Sequence, residues 1–138
     1  MKELIQSLKT QLGTIEGIQE VFMHRNAKPT SFPSLLCEWE SSNNTFESNT
    51  ENMRIATFRL FAVVNVAGKS QLTVDEIIIP NLYDKLSAYF DESWNGQTPE
   101  GHRVWSVLSL ASSEIVTEDR NKLAYLDCVL EIKYLKDN

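Results

Sequence analysis

The sequence predicts an α+β fold, with two helices packed on one face of a mostly antiparallel sheet of four to five strands. Three stretches carry that expectation. Met53 to Val66 (MRIATFRLFAVVNV) contains no Gly or Pro and is rich in Phe, Val, Leu and Ile, the composition of a strand. Ser70 to Phe90 repeats apolar residues at helical spacing, and Ala124 to Tyr134 alternates apolar with polar residues as a half-buried strand does. The strands are grouped rather than interleaved one for one with helices, which distinguishes α+β from a parallel α/β design.

In chain order, Leu4, Ile5, Leu8 and Leu12 form one apolar stripe over residues 3–13, and Gly13 supplies a stop. So short a helix is marginal alone and needs a sheet to pack on. A short strand is expected at Ile18–Phe22, and Pro29 marks the polar turn region that follows. Phe32-Pro33 opens a second strand, Ser34 to Glu40, with Leu35, Cys37 and Trp39 on its apolar face; Leu36 breaks the alternation, so part of the other face is expected to be covered too. Ser41 to Asn52 (SSNNTFESNTEN) reads as a long polar loop, with Phe46 as its one large apolar residue, either an anchor for a partner or a local packing group.

Met53–Val66 far exceeds the usual ~5–6 residues of a strand and is therefore expected at the centre of the sheet. Ala56, Phe58, Leu60, Ala62, Val64 and Val66 lie on one face, which must be covered. The other face, with Ile55, Thr57, Arg59, Phe61 and Val63, suits partial exposure or a protein partner. Thr73-Val-Asp-Glu76 fits a capping box for the long helix, and Ile79, Leu82, Leu86 and Phe90 supply the stripe that covers the central strand. Pro80 inside that helix predicts a kink, or a break with a new helix starting there. After a loop at Asp91–Gly101, a strand region from His102 to Val116, interrupted around Ser112-Ser113, should form a hairpin with the final strand.

A chain of 138 residues fits one domain, 1–138, with the polar loop at 41–52 as its main irregularity. Its 19 acidic and 13 basic residues give a net charge of −6, with no basic run, which argues against specific nucleic-acid binding. No apolar run reaches the ~18–20 residues that cross a bilayer, and the amphipathic N-terminus is unlike a secretory signal. Cys37 and Cys128 are expected to be buried free thiols.

No catalytic, cofactor or metal site nominates itself. His24 and His102 lack ligand partners at metal spacing, the five glycines are scattered, and the acidic pairs sit at a helix start or in loops. The expectation is therefore a non-enzymatic protein without a cofactor. What stands out is surface: the half-apolar face of the central strand, the loop bearing Phe46, and Trp94 in a loop, either an interface anchor or folded back on the helix end.

The opening helix, the strand start Phe32-Pro33-Ser34-Leu35, the polar stretch leading through Thr50-Glu51-Asn52-Met53-Arg54 into Phe58-Arg59-Leu60-Phe61-Ala62-Val63, a helix of about twenty residues and a closing strand pair together resemble the phage tail terminator (tail completion, head–tail joining) family. That resemblance spans nearly the whole chain; Pro80 has no counterpart in it. It implies a structural virion protein, assembled in the host cytoplasm, that forms a homo-hexameric ring at the head-proximal end of the tail. The ring would contact the tail tube protein and a head-completion or connector protein. Phe46, Glu47, Thr50, Glu51, Asn52, Arg54, Arg59 and Trp94 are the residues it puts forward for oligomer or tube contacts, with Arg54 and Arg59 facing Glu47 or Glu51 of a neighbour. Another head–tail connector component, or a small-ligand-binding or enzymatic α+β domain, are the competing readings.

Overall fold

The computed structural model describes residues 2–46, 52–90, 104–118 and 121–136. These form an opening helix, Lys2–Leu12, and five strands: β1 (Glu20–Phe22), β2 (Ser34–Phe46), β3 (Asn52–Asn65), β4 (Val104–Glu118) and β5 (Asn121–Lys136). A long helix occupies residues 71–89 between β3 and β4. The strands make one sheet in the order β1-β2-β3-β5-β4, antiparallel throughout except for the short parallel pairing of β1 with β2. The α+β expectation is met, and β3 is the middle strand.

The alternation in β3 decides which side is covered. Ala56, Phe58, Leu60 and Ala62 are fully buried, and the ladder sets Leu126, Cys128, Leu130 and Ile132 of β5 beside them on the same face. Leu4, Leu8 and Leu12 of the opening helix and Ile79, Leu86 and Phe90 of the long-helix region close over this layer in one cluster, so both helices lie on one face. The opposite face has a smaller core of Leu36, Val63 and Leu123, against which Phe22, Ala27, Phe32, Phe61 and Tyr125 pack. That second core explains why Leu36 breaks the alternation of β2: the β1–β2 connection crosses this face and covers one end of it.

Glu20 holds that connection down. Its Oε1 accepts from Thr30 N (3.0 Å), Thr30 Oγ1 (2.8 Å) and Ser31 N (2.5 Å). The Thr30 hydroxyl is the largest influence, and these donors keep the carboxyl below its ordinary value of 4.5. The stabilisation is therefore full above pH 4.5 and is lost as the pH falls through the lower native value. Acidification should lower the exchange protection factors of the Thr30 and Ser31 amides first, and Glu20→Gln should do so at neutral pH; unchanged protection in that variant would assign the anchoring elsewhere.

Two sequence expectations are corrected. The polar stretch 41–52 is not a loop throughout: β2 continues to Phe46 and β3 begins at Asn52. A partner strand can satisfy polar residues as well as apolar ones, and Ser41 to Phe46 pair with Asn52 to Thr57. The long helix is capped by Ser70, whose hydroxyl accepts from Thr73 N (3.1 Å), one turn before the Thr73–Glu76 box. Pro80 lies in the first turn of a new α-helical segment, Ile79–Tyr89, which begins without a gap in the helical course of the chain. The chain stays helical through a π turn at Val74–Ile78, where Ile79 N–H reaches Val74 O, and this wider turn relieves the clash of a proline ring with the preceding turn. The interruption foreseen near Ser112-Ser113 is a bulge, since the ladder steps from Leu110↔Cys128 to Ser112↔Asp127 and leaves Ala111 over.

Candidate functional site

The face of the sheet away from the helices carries a connected set of charges around one aromatic ring. Cross-strand register puts Glu38 opposite Arg59 and Phe61 opposite Asp127. A bulge in β2 between Trp39 and Ser41 makes Glu40 the extra residue. From the β1–β2 connection, Arg25 reaches Glu38 and also Glu40 (3.3 Å). Arg59 reaches Glu40 (3.8 Å) and grips Asp127 with both arms of its guanidinium, Nε donating to Oδ1 at 3.1 Å and Nη2 to Oδ2. This diagonal contact across β3 and β5 is the bidentate geometry that favours arginine over lysine. Both guanidiniums stand over the Phe61 ring, Arg25 at 5.7 Å and Arg59 at 6.0 Å from its centroid.

A groove of about 330 Å³ runs beside this cluster, lined by Arg25, Leu36, Phe61, Ser112, Glu114, Tyr125 and Asp127. Its floor is aromatic and aliphatic, and its polar groups come from two strands, β4 and β5, and a loop. Hydrogen bonding to Glu38 and the charge of that carboxylate raise the Arg25 guanidinium above its ordinary value, and Asp127 does the same for Arg59. Both are permanent cations, and their carboxylate partners are committed to them. The arrangement fixes shape and charge on this face.

The eight residues put forward from the sequence divide into three groups. Phe46, Asn52 and Arg54 are brought together at the far end of the β2–β3 hairpin, where Phe46 pairs with Asn52 and Asn44 with Arg54; their backbone alone is described. Arg59 lies halfway along β3, and the acidic partners expected for it on a neighbour, Glu47 or Glu51, are supplied within the chain by Asp127 and Glu40. Glu47, Thr50, Glu51 and Trp94 fall outside the described residues. Sequence reasoning missed Arg25, Glu38, Glu40 and Asp127 as a set. The available signal was the spacing Glu38-x-Glu40 on a strand, which places two carboxylates on one face.

Cys37 and Cys128 are free and fully buried on the helix side, as expected. They flank Leu60 from its two neighbouring strands. Two strand spacings of ~4.8 Å separate them, beyond the span of a disulfide. Among the described residues, no three of His, Cys, Asp and Glu are grouped to hold a metal ion, and no helix is long and apolar enough to cross a membrane.

The chain matches no known family model and no curated protein. Among solved structures it is similar to a chain from the virion of a native gene transfer agent particle, at 13% identity and a TM-score of 0.43, covering 94% of this chain and 84% of that one. A likeness of that size bears no argument about function.

Proposed function

We propose that this protein is a structural component of a phage-type virion, a tail terminator that acts as a homo-hexameric ring and performs no catalysis. The observation that carries the reading is the sequence resemblance spanning Phe32–Val63, continued in the element order of a long helix and a closing hairpin. One face of the ring matches the symmetry of the tail tube; growth ends because the other face accepts a head-completion protein instead of another tube subunit. The end of the β2–β3 hairpin, with Phe46, Asn52, Arg54 and the intervening Glu47, Thr50 and Glu51, is the part of the chain assigned to subunit or tube contact, together with Trp94. Closure demands a heterologous interface, in which different patches meet around the axis.

Negative-stain microscopy of the concentrated protein, alone and with headless tail tubes, tests this directly. Six-fold rings, or density capping one tube end, are the expected result; monomers that ignore tube ends would sink the proposal. Arg54→Glu should weaken that assembly about tenfold or more, as expected for a charge pair replaced by like charges at an interface. Wild-type assembly by the variant would remove Arg54 from the contact.

A second reading, a small-ligand-binding domain, is favoured by the groove beside Phe61, with polar groups converging over an apolar floor. A ligand screen by thermal shift tests it. A hit abolished by Tyr125→Ala would support it. The mutual pairing of Arg25, Arg59, Glu38, Glu40 and Asp127 weighs against it, because those charges already satisfy one another.

A further inference from the structure

The sheet has two long edges. Among the described residues no strand pairs with the outer side of β4, Val104–Glu118, and β1 covers only Ser34–Leu36 of β2, which leaves 37–46 uncovered. An open edge is a row of unpaired donors and acceptors, and proteins usually blunt it with lysine or proline. Neither stretch contains a Lys, an Arg or a Pro.

Among the described side chains, each edge also presents one exposed large apolar group on the same side of the sheet. Trp39, 44% exposed, pairs with Phe58, and Leu110, 47% exposed, pairs with Cys128; both partners belong to the helix-side core. The strand directions complete the match. β2, β3, β5 and β4 alternate in direction along the sheet, so β4 of one copy laid against β2 of the next continues it in the antiparallel sense.

We infer that β4 of one copy of this chain pairs head to tail with residues 37–46 of β2 in the next, with Leu110 against Trp39. This rests on the ring reading and names its interface. Leu110 opposite Trp39 aligns Val104–Ser112 with Cys37–Thr45 and stops where β1 begins to cover β2. In this register Glu38 faces Ala111 and Glu40 faces Ser109, so no two carboxylates oppose each other and both bulged strands bend at one level. The Leu108 carbonyl, which already accepts from Tyr83 Oη at 3.1 Å, has a second lone pair for a ladder bond. A two-fold pairing of β4 with β4 would bury Leu110 but leave Trp39 at an open edge.

The test places single cysteines at Trp39 and Leu110 in the full chain, separately and together, and oxidises each protein with copper phenanthroline in air, with and without tail tubes. Both sites are exposed and the native thiols are buried, so the added thiols report the contact. The double variant should give a covalent ladder beyond the dimer, while each single variant stays monomeric on a denaturing gel. Leu110→Lys, with an unchanged melting curve, should weaken association at least ~10-fold. Dimers from Leu110→Cys alone would overturn the head-to-tail pairing in favour of a two-fold one. Six-fold rings by microscopy without a ladder would overturn the edge pairing and leave the ring reading intact. A ladder without rings or tube binding would do the reverse, and the absence of both would overturn both.

Discussion

Phe58→Ala should lower the free energy of unfolding by about 3–5 kcal/mol, the usual range for emptying a buried phenylalanine site. Phe58 is fully buried at the middle of β3, with Trp39 and Leu130 beside it in the ladder and the helices above it. The strands on either side are fixed by their own hydrogen bonds, so the space cannot collapse. Phe61 is the control: it lies on the other face of the same strand and is half-exposed, so Phe61→Ala should cost only about 1–2 kcal/mol. Urea unfolding at a common slope measures both. Equal losses would mean that the helix side is not the principal core.

Native Cys37 and Cys128 should be alkylated at least ~10³-fold more slowly than in the urea-unfolded chain at pH 7.5, because the thiolate is the reactive form. Burial pushes both thiols from 9.0 up to about 12, with Glu38 adding to the effect at Cys37 and Asp127 at Cys128. The sign of the linked pH effect follows. A thiol raised in the native state contributes its full stability below pH 9, and that contribution is lost as the pH rises from 9 towards 12, where the unfolded chain ionises first. Two thiols act in the same window, so stability should fall across it, and a Cys37→Ala/Cys128→Ala double variant should show a flatter decline between pH 9 and 11. Fast labelling at neutral pH without unfolding would contradict the burial.

The fold was legible where the pattern was periodic. Both helices, the central strand and the closing hairpin follow from spacing alone, because each must bury one face against the others. The extension of β2 through Ser41–Phe46 was not legible, since Ser, Asn and Thr signal a loop unless a long partner is already waiting, and that partner is β3. The cap was misplaced because two hydroxyl residues one turn apart, Ser70 and Thr73, compete and only the geometry decides. The charged cluster around Phe61 was legible only in part. Arg59 and Asp127 lie 68 residues apart in the chain, and only the register of β3 against β5 reveals them as neighbours.

The π turn in the long helix has a consequence for how this sequence can change. Val74 and Ile79 are both buried although five positions apart, a separation that puts residues ~140° apart around a regular α-helix. The widened turn absorbs one extra residue and lets both face the core. Deleting exposed Ile77 would turn Val74 and Ile79 into an i, i+4 pair with the helix faces unchanged, yet it would force Pro80 into an ordinary α-helical interior, at a cost of roughly 3 kcal/mol. Pro80→Ala alone should cost less than about 1 kcal/mol, and the deletion made together with Pro80→Ala should be close to neutral, a strong coupling that a double-mutant cycle would read. Order of events then matters: the proline is tolerable only once the extra residue is present, and that residue becomes dispensable only once the proline has gone.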